Sequence, residues 1–76
     1  MAVKILLFGQ LKQIAGAAEL TIDAADTDAL VREMVIRFPK LENLPYLIAV
    51  NRNIVQGKIP IKAGEEVALL PPYSGG

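Results

Sequence analysis

The chain has 76 residues, 53% of them hydrophobic, and its eight basic and eight acidic side chains cancel to a formal net charge of zero. It contains no cysteine and no histidine, which removes disulfides, thiolate nucleophiles, zinc sites of the common types and the usual neutral-pH proton shuttle. Its length suits one domain, no apolar run approaches the ~18–20 residues of a membrane span, and scattered bases without an excess argue against nucleic acid.

Val3 to Phe8 is a mostly apolar run closed by Gly9 and predicts a largely buried strand. Alternation sets Val3, Ile5 and Leu7 on one face and Lys4, Leu6 and Phe8 on the other. Lys4 marks the second face as the wetter one, so Phe8 stands out as an aromatic on the solvent side. The residues from Met1 to Lys4 lack the flanks of a signal peptide, and the expectation is a cytoplasmic chain. Leu11 to Ala15 predicts a short helical turn ended by Gly16. Glu19 to Asp23 alternates polar and apolar residues, as does a half-exposed strand pairing antiparallel with the first.

Thr27 is the expected N-cap of the main helix, with Asp28 in the first turn, where the helix dipole favours an acid. Leu30, Val31, Met34, Val35 and Phe38 form the apolar stripe, and Pro39 stops the helix. Leu47 to Val50 predicts a central strand, Asn51-Arg52-Asn53 a turn, and Ile54-Val55 a further strand ended by Gly57. Pro60 makes Ile59 to Ile61 an edge or a loop. Lys62 to Glu65 reads as a turn and Glu66 to Leu70 as the last strand. The carboxylates are dispersed, with neither calcium-loop spacing nor a phosphate-cradling glycine loop, so a self-contained enzyme is not expected.

A helix laid across a mixed sheet satisfies this order with a single core. Hairpin, helix, then strands is the pattern of an α+β, ubiquitin-like β-grasp fold: four to five strands and one main helix over residues 1–76, with an extended tail at 71–76. In that arrangement the first and last strands lie side by side and parallel at the sheet centre. They are the most apolar runs in the chain, as a pair buried on both faces requires.

After Leu70 comes Pro71-Pro72-Tyr73-Ser74-Gly75-Gly76. The prolines favour an extended polyproline conformation, and from Pro71 the arm reaches about 20 Å. Gly75 and Gly76 lack Cβ atoms and can thread a channel too narrow for other residues. The final carboxylate, with a pKa near ~3.3–3.7, is ionised at neutral pH and makes an unhindered oxygen nucleophile. A frayed end is the plain alternative.

Lys4-Ile5-Leu6-Leu7-Phe8-Gly9-Gln10, Ala49-Val50-Asn51-Arg52, the stretch from Ala63 to Pro72 and the final Ser74-Gly75-Gly76 bear a resemblance across nearly the whole chain. On these residues it resembles the small subunits of molybdopterin synthase, which are ubiquitin-like sulfur carriers. The resemblance implies a non-catalytic, sulfur-donating subunit that binds no cofactor or metal itself. An activating enzyme would use ATP to adenylate the Gly76 carboxylate, and a persulfide sulfur would displace AMP to leave a thiocarboxylate. The tail would then enter the large catalytic subunit of a heterotetramer, with Gly75 and Gly76 at its tip. There its sulfur would build the dithiolene that holds molybdenum or tungsten.

Carried over residue by residue, the partner face comprises Phe8, Ile54 and Leu70, with Pro71, Pro72, Tyr73 and Ser74 along the arm. Leu70 stands where the family often has an aromatic, and Tyr73 where it commonly has a smaller residue. Core packing is the alternative for Phe8 and Ile54 on pattern alone. Three other functions stay open: a thiamine-type sulfur carrier, a ubiquitin-like modifier that forms isopeptide bonds, and an interaction module with an incidental tail.

Overall fold

A computed structural model describes residues 2–72. Its elements run β1 (Ala2–Leu7), α1 (Gly9–Ala15), β2 (Glu19–Asp23), α2 (Thr27–Arg37), a 3-10 turn (Pro39–Asn43), β3 (Leu47–Val50), β4 (Asn53–Val55) and β5 (Glu66–Leu70). The strands form one five-stranded sheet in the order β2-β1-β5-β3-β4, the expected ubiquitin-like β-grasp with both helices added. β1 and β5 are parallel, with Ile5 opposite Val67 and Leu7 opposite Leu69. β2 joins β1, and β3 joins both β4 and β5, in antiparallel register. A parallel pair needs a long crossover, and here almost the whole chain serves as one.

The sheet buries the centre of one face, with Leu20, Ile48 and Val55 partly buried at its margins. Val3, Ile5 and Leu7 of β1, Ile22 of β2, and Val67 and Leu69 of β5 share a cluster with Leu30 and Met34 of α2, Leu11 of α1, Leu41 and Ile61. Each such side chain contributes roughly 1.5–3 kcal/mol by leaving water, which is how a chain without disulfides holds together. α1 ends at Gly16, whose left-handed backbone (φ 73°) directs its N–H to the Lys12 carbonyl.

Three local readings are corrected. The helical turn begins at Gly9, two residues before Leu11, because Phe8 stays extended and starts the turn without a side-chain cap. The N-cap of α2 is Asp26, whose carboxylate accepts from the Ala29 N–H at 2.8 Å. Thr27 is instead the first helical residue and is buried. Its hydroxyl donates to the Gly57 carbonyl and accepts from the Ile59 N–H, both at 2.9 Å. Finally, Val31 and Val35 are only half-buried, and the fully buried stripe of α2 is Thr27, Leu30 and Met34.

Thr27→Val keeps the shape but leaves the Gly57 carbonyl and Ile59 N–H without their partner. We expect a loss of about 1–3 kcal/mol, read as a fall in Tm of roughly 4–8 °C per kcal/mol in a domain of this size. Urea and thermal unfolding check it; a change within the ~0.5 kcal/mol of ordinary surface substitutions would show that the loop holds without this staple.

Candidate functional site

The face of the sheet away from the helices is divided in two. Residues paired across strands point the same way, so β2 and the first half of β1 place Glu19, Thr21 and Lys4 together. Lys4 Nζ lies 3.8 Å from Glu19 Oε2, and both are well exposed. This half is the wet face that Lys4 predicts. The other half is apolar. Leu6 pairs with Ala68, Ala68 with Ala49, Ala49 with Ile54, and Leu70 with Leu47.

The two alanines carry short side chains between longer ones. They leave a concavity of about 380 Å³ lined also by Leu6, Phe8, Ile54 and Leu70, with Arg52 and Glu66 at its edge. Phe8 is 45% exposed and Ile54 51% exposed; they are not core residues. A covering partner would recover part of the roughly 1.5–3 kcal/mol that burying such a side chain provides. Ile36 on α2 is also exposed, but it belongs to a different surface.

The base of the tail adjoins this patch. β5 ends at Leu70, Pro71 is half-buried and Pro72 exposed. The Phe8 N–H continues the β1–β5 ladder by donating to the Leu69 carbonyl at 3.3 Å. Gly9 then turns with φ +58°, and a Cβ built on it would lie 2.8 Å from Pro71 Cγ. The missing side chain lets the proline ring seat against the turn, so Phe8, Leu70 and Pro71 form one continuous surface. Tyr73, Ser74, Gly75 and Gly76 lie outside the described residues.

The expected partner-face residues Phe8, Ile54 and Leu70 are thus brought together although they are far apart in sequence. Leu6, which alternation already sets on the face of Phe8, joins them, and Ala49, Ala68, Arg52 and Glu66 do so unannounced. Alternation along Glu66, Ala68 and Leu70 was a usable signal for Ala68, whereas Ala49 and Arg52 depended on the register of β3. Among the described residues, no group of three or more His, Cys, Asp or Glu can hold a metal, and no helix is long and apolar enough to cross a membrane. A second groove, behind α2, is lined by Val31, Val35, Leu44 and Tyr46; burial there raises the Tyr46 phenol above its usual pKa of 10.0.

Comparison with known proteins gives a consistent result. The ThiS family profile matches residues 5–76. The molybdopterin synthase sulfur carrier subunit of Chlamydomonas reinhardtii is 35% identical, with 100% of both chains covered. Among solved structures, the complex of subunits 1 and 2 of the molybdopterin-converting factor from Helicobacter pylori contains a chain similar to this one (29% identity, TM-score 0.74, 100% of both chains). The small archaeal modifier protein 1 of Methanosarcina acetivorans superposes with a TM-score of 0.80 at 25% identity, covering 99% of this chain and 96% of the other.

Phe8→Ala is expected to cost about 1 kcal/mol or less in stability, because half of the ring is already in water, whereas Ile5→Ala should cost about 2–5 kcal/mol as a core truncation. Parallel urea titrations measure both. Equal losses in the two variants would place Phe8 in the core.

Proposed function

The chain belongs to the ThiS family, and from that premise we propose how it works as a sulfur carrier subunit of the molybdopterin synthase type. It is the non-catalytic member of the pair, and the large synthase subunit is its partner. The observation that carries this reading is the apolar patch of Phe8, Ile54 and Leu70, which runs without a break into the base of the tail at Pro71. A protein that covers the patch also receives the arm that leaves it.

The reactive group in this proposal is the Gly76 carboxylate. An activating enzyme binds ATP, and a Gly76 oxygen attacks the α-phosphorus, expelling pyrophosphate and forming an acyl-adenylate. A persulfide sulfur then displaces AMP to give an acyl disulfide, and a thiolate of the activating system attacks the outer sulfur of that bond, forming a disulfide with it and releasing the thiocarboxylate. ATP stays with the activating enzyme; this chain holds no cofactor. Gly75 and Gly76 are the segment slim enough to reach the large subunit's active site, with Pro71, Pro72, Tyr73 and Ser74 as the arm behind them. The large subunit supplies the groups that move sulfur to the pterin, in the heterotetramer that the resemblance implies. Assembly in the cytoplasm suits a chain that uses no disulfide.

A second reading has one observation in its favour, the structural likeness to an archaeal modifier protein. It uses the same adenylation but delivers the carboxyl group to a lysine amine. A thiamine-type carrier differs only in the acceptor of the sulfur.

Incubation with ATP, the activating enzyme and a sulfur donor should raise the intact mass by the difference between one sulfur and one oxygen atom, with the change confined to Gly76. Deleting Gly76 should abolish both the shift and molybdopterin formation with the large subunit. An unchanged mass with an enzyme proven active on another carrier would refute the proposal, and lysine-linked conjugates without a thiocarboxylate would favour the modifier.

A further inference from the structure

The β3–β4 hairpin turns on Asn51 and Arg52, both with positive φ (51° and 70°). Two-residue hairpins of this kind favour Asn followed by Gly, because glycine adopts the second position without steric penalty. Asn51 has a clear structural reason. Its carboxamide donates to Glu65 Oε2 at 2.9 Å and accepts from the Glu66 N–H at 3.1 Å. Its own N–H donates to the Glu66 carbonyl at 2.7 Å.

Arg52 has no comparable reason. Its side chain is 89% exposed, and among the described residues its guanidinium meets Glu66 Oε1 at 3.6 Å, longer than a charge-assisted hydrogen bond and solvated on both sides. The fold gains little from an arginine where glycine would fit better. Yet the turn, locked to β5 through Asn51, holds that arginine at the edge of the apolar patch. Arginine's planar fork matches a carboxylate in two parallel contacts, and a charge beside an interface steers association and selects the partner.

We propose that Arg52 is a specificity residue for the large synthase subunit. Its guanidinium pairs with a carboxylate on that subunit when Phe8, Ile54 and Leu70 are covered. The inference rests on the sulfur-carrier reading above, which supplies the partner. Strain kept at a surface turn for the sake of binding has a recognisable signature: relieving it leaves the fold intact and weakens the complex.

The test compares wild type, Arg52→Gly, Arg52→Lys and Arg52→Glu for binding to the purified large subunit, alongside the Tm of each. Arg52→Gly should bind about five- to tenfold more weakly, mainly through slower association, with a Tm no lower than wild type. Arg52→Lys should fall between wild type and Arg52→Gly, about three- to fivefold weaker than wild type, since it keeps the charge but loses the fork. Arg52→Glu should be weakest, and the penalty should shrink as salt screens it. Binding of Arg52→Gly within about twofold of wild type would overturn the proposal, as would losses that follow Tm rather than charge. If wild type itself fails to bind the large subunit, the sulfur-carrier reading falls, and this inference with it; normal wild-type binding with an indifferent glycine variant removes Arg52 alone.

Discussion

The parallel pairing of β1 with β5 is the constraint on which the remainder depends. It places Ile5 beside Val67 and Leu7 beside Leu69 at the floor of the core. On the opposite face the same register sets Leu6 against Ala68. One more step along the ladder, the Phe8 N–H reaches the Leu69 carbonyl. The aromatic that stands in water is therefore adjacent to the strand that leads into the tail. If β1 slipped by one residue, its core and outer residues would exchange faces, and the patch would lose Phe8 along with the core's Ile5.

The two faces of the sheet solve different problems. On the helix side, nearly every strand residue of β1 and β5 is removed from water. On the outer side, a small chain has no second layer to supply. The half near β2 is closed by charge, through Lys4 and Glu19. The half near β4 is left apolar, with Phe8 and Ile54 exposed. A domain of this size is only marginally stable, and the open apolar surface next to Leu70 and Pro71 is the feature on which the proposed binding face rests.

Turn chemistry then sets what surrounds the patch. Asn51 ties the β3–β4 hairpin to the start of β5, and Glu65 closes the preceding turn by accepting from the Lys62 N–H at 2.6 Å. Thr27 ties the long 57–59 connection to α2. Thr27 satisfies two backbone groups of a distant loop, whereas the Asn51 carboxamide satisfies the Glu66 N–H at the start of β5 and the Glu65 carboxylate beside it.

Much of this was legible in the residues alone. Period-two alternation in Val3–Leu7, the apolar run to Leu70, the stop at Pro39 and the Asn51-Arg52-Asn53 turn place the elements closely, although Asn53 already belongs to β4 and pairs with Val50, and the absence of cysteine and histidine directs attention to the terminal carboxyl group. Phe8 was recognisable as misplaced on the side of Lys4, because alternation is a local property of the backbone. What only the tertiary structure decided concerns contacts between segments far apart in sequence. Asp26 rather than Thr27 caps α2 because the Thr27 hydroxyl is engaged by Gly57 and Ile59. Ala49 and Ala68 become the floor of one concavity because the β3–β5 register sets them opposite each other. Local sequence determines which backbone shapes a segment can adopt; it contains no term for which distant segment will lie alongside, and that pairing decides which side chains share a surface.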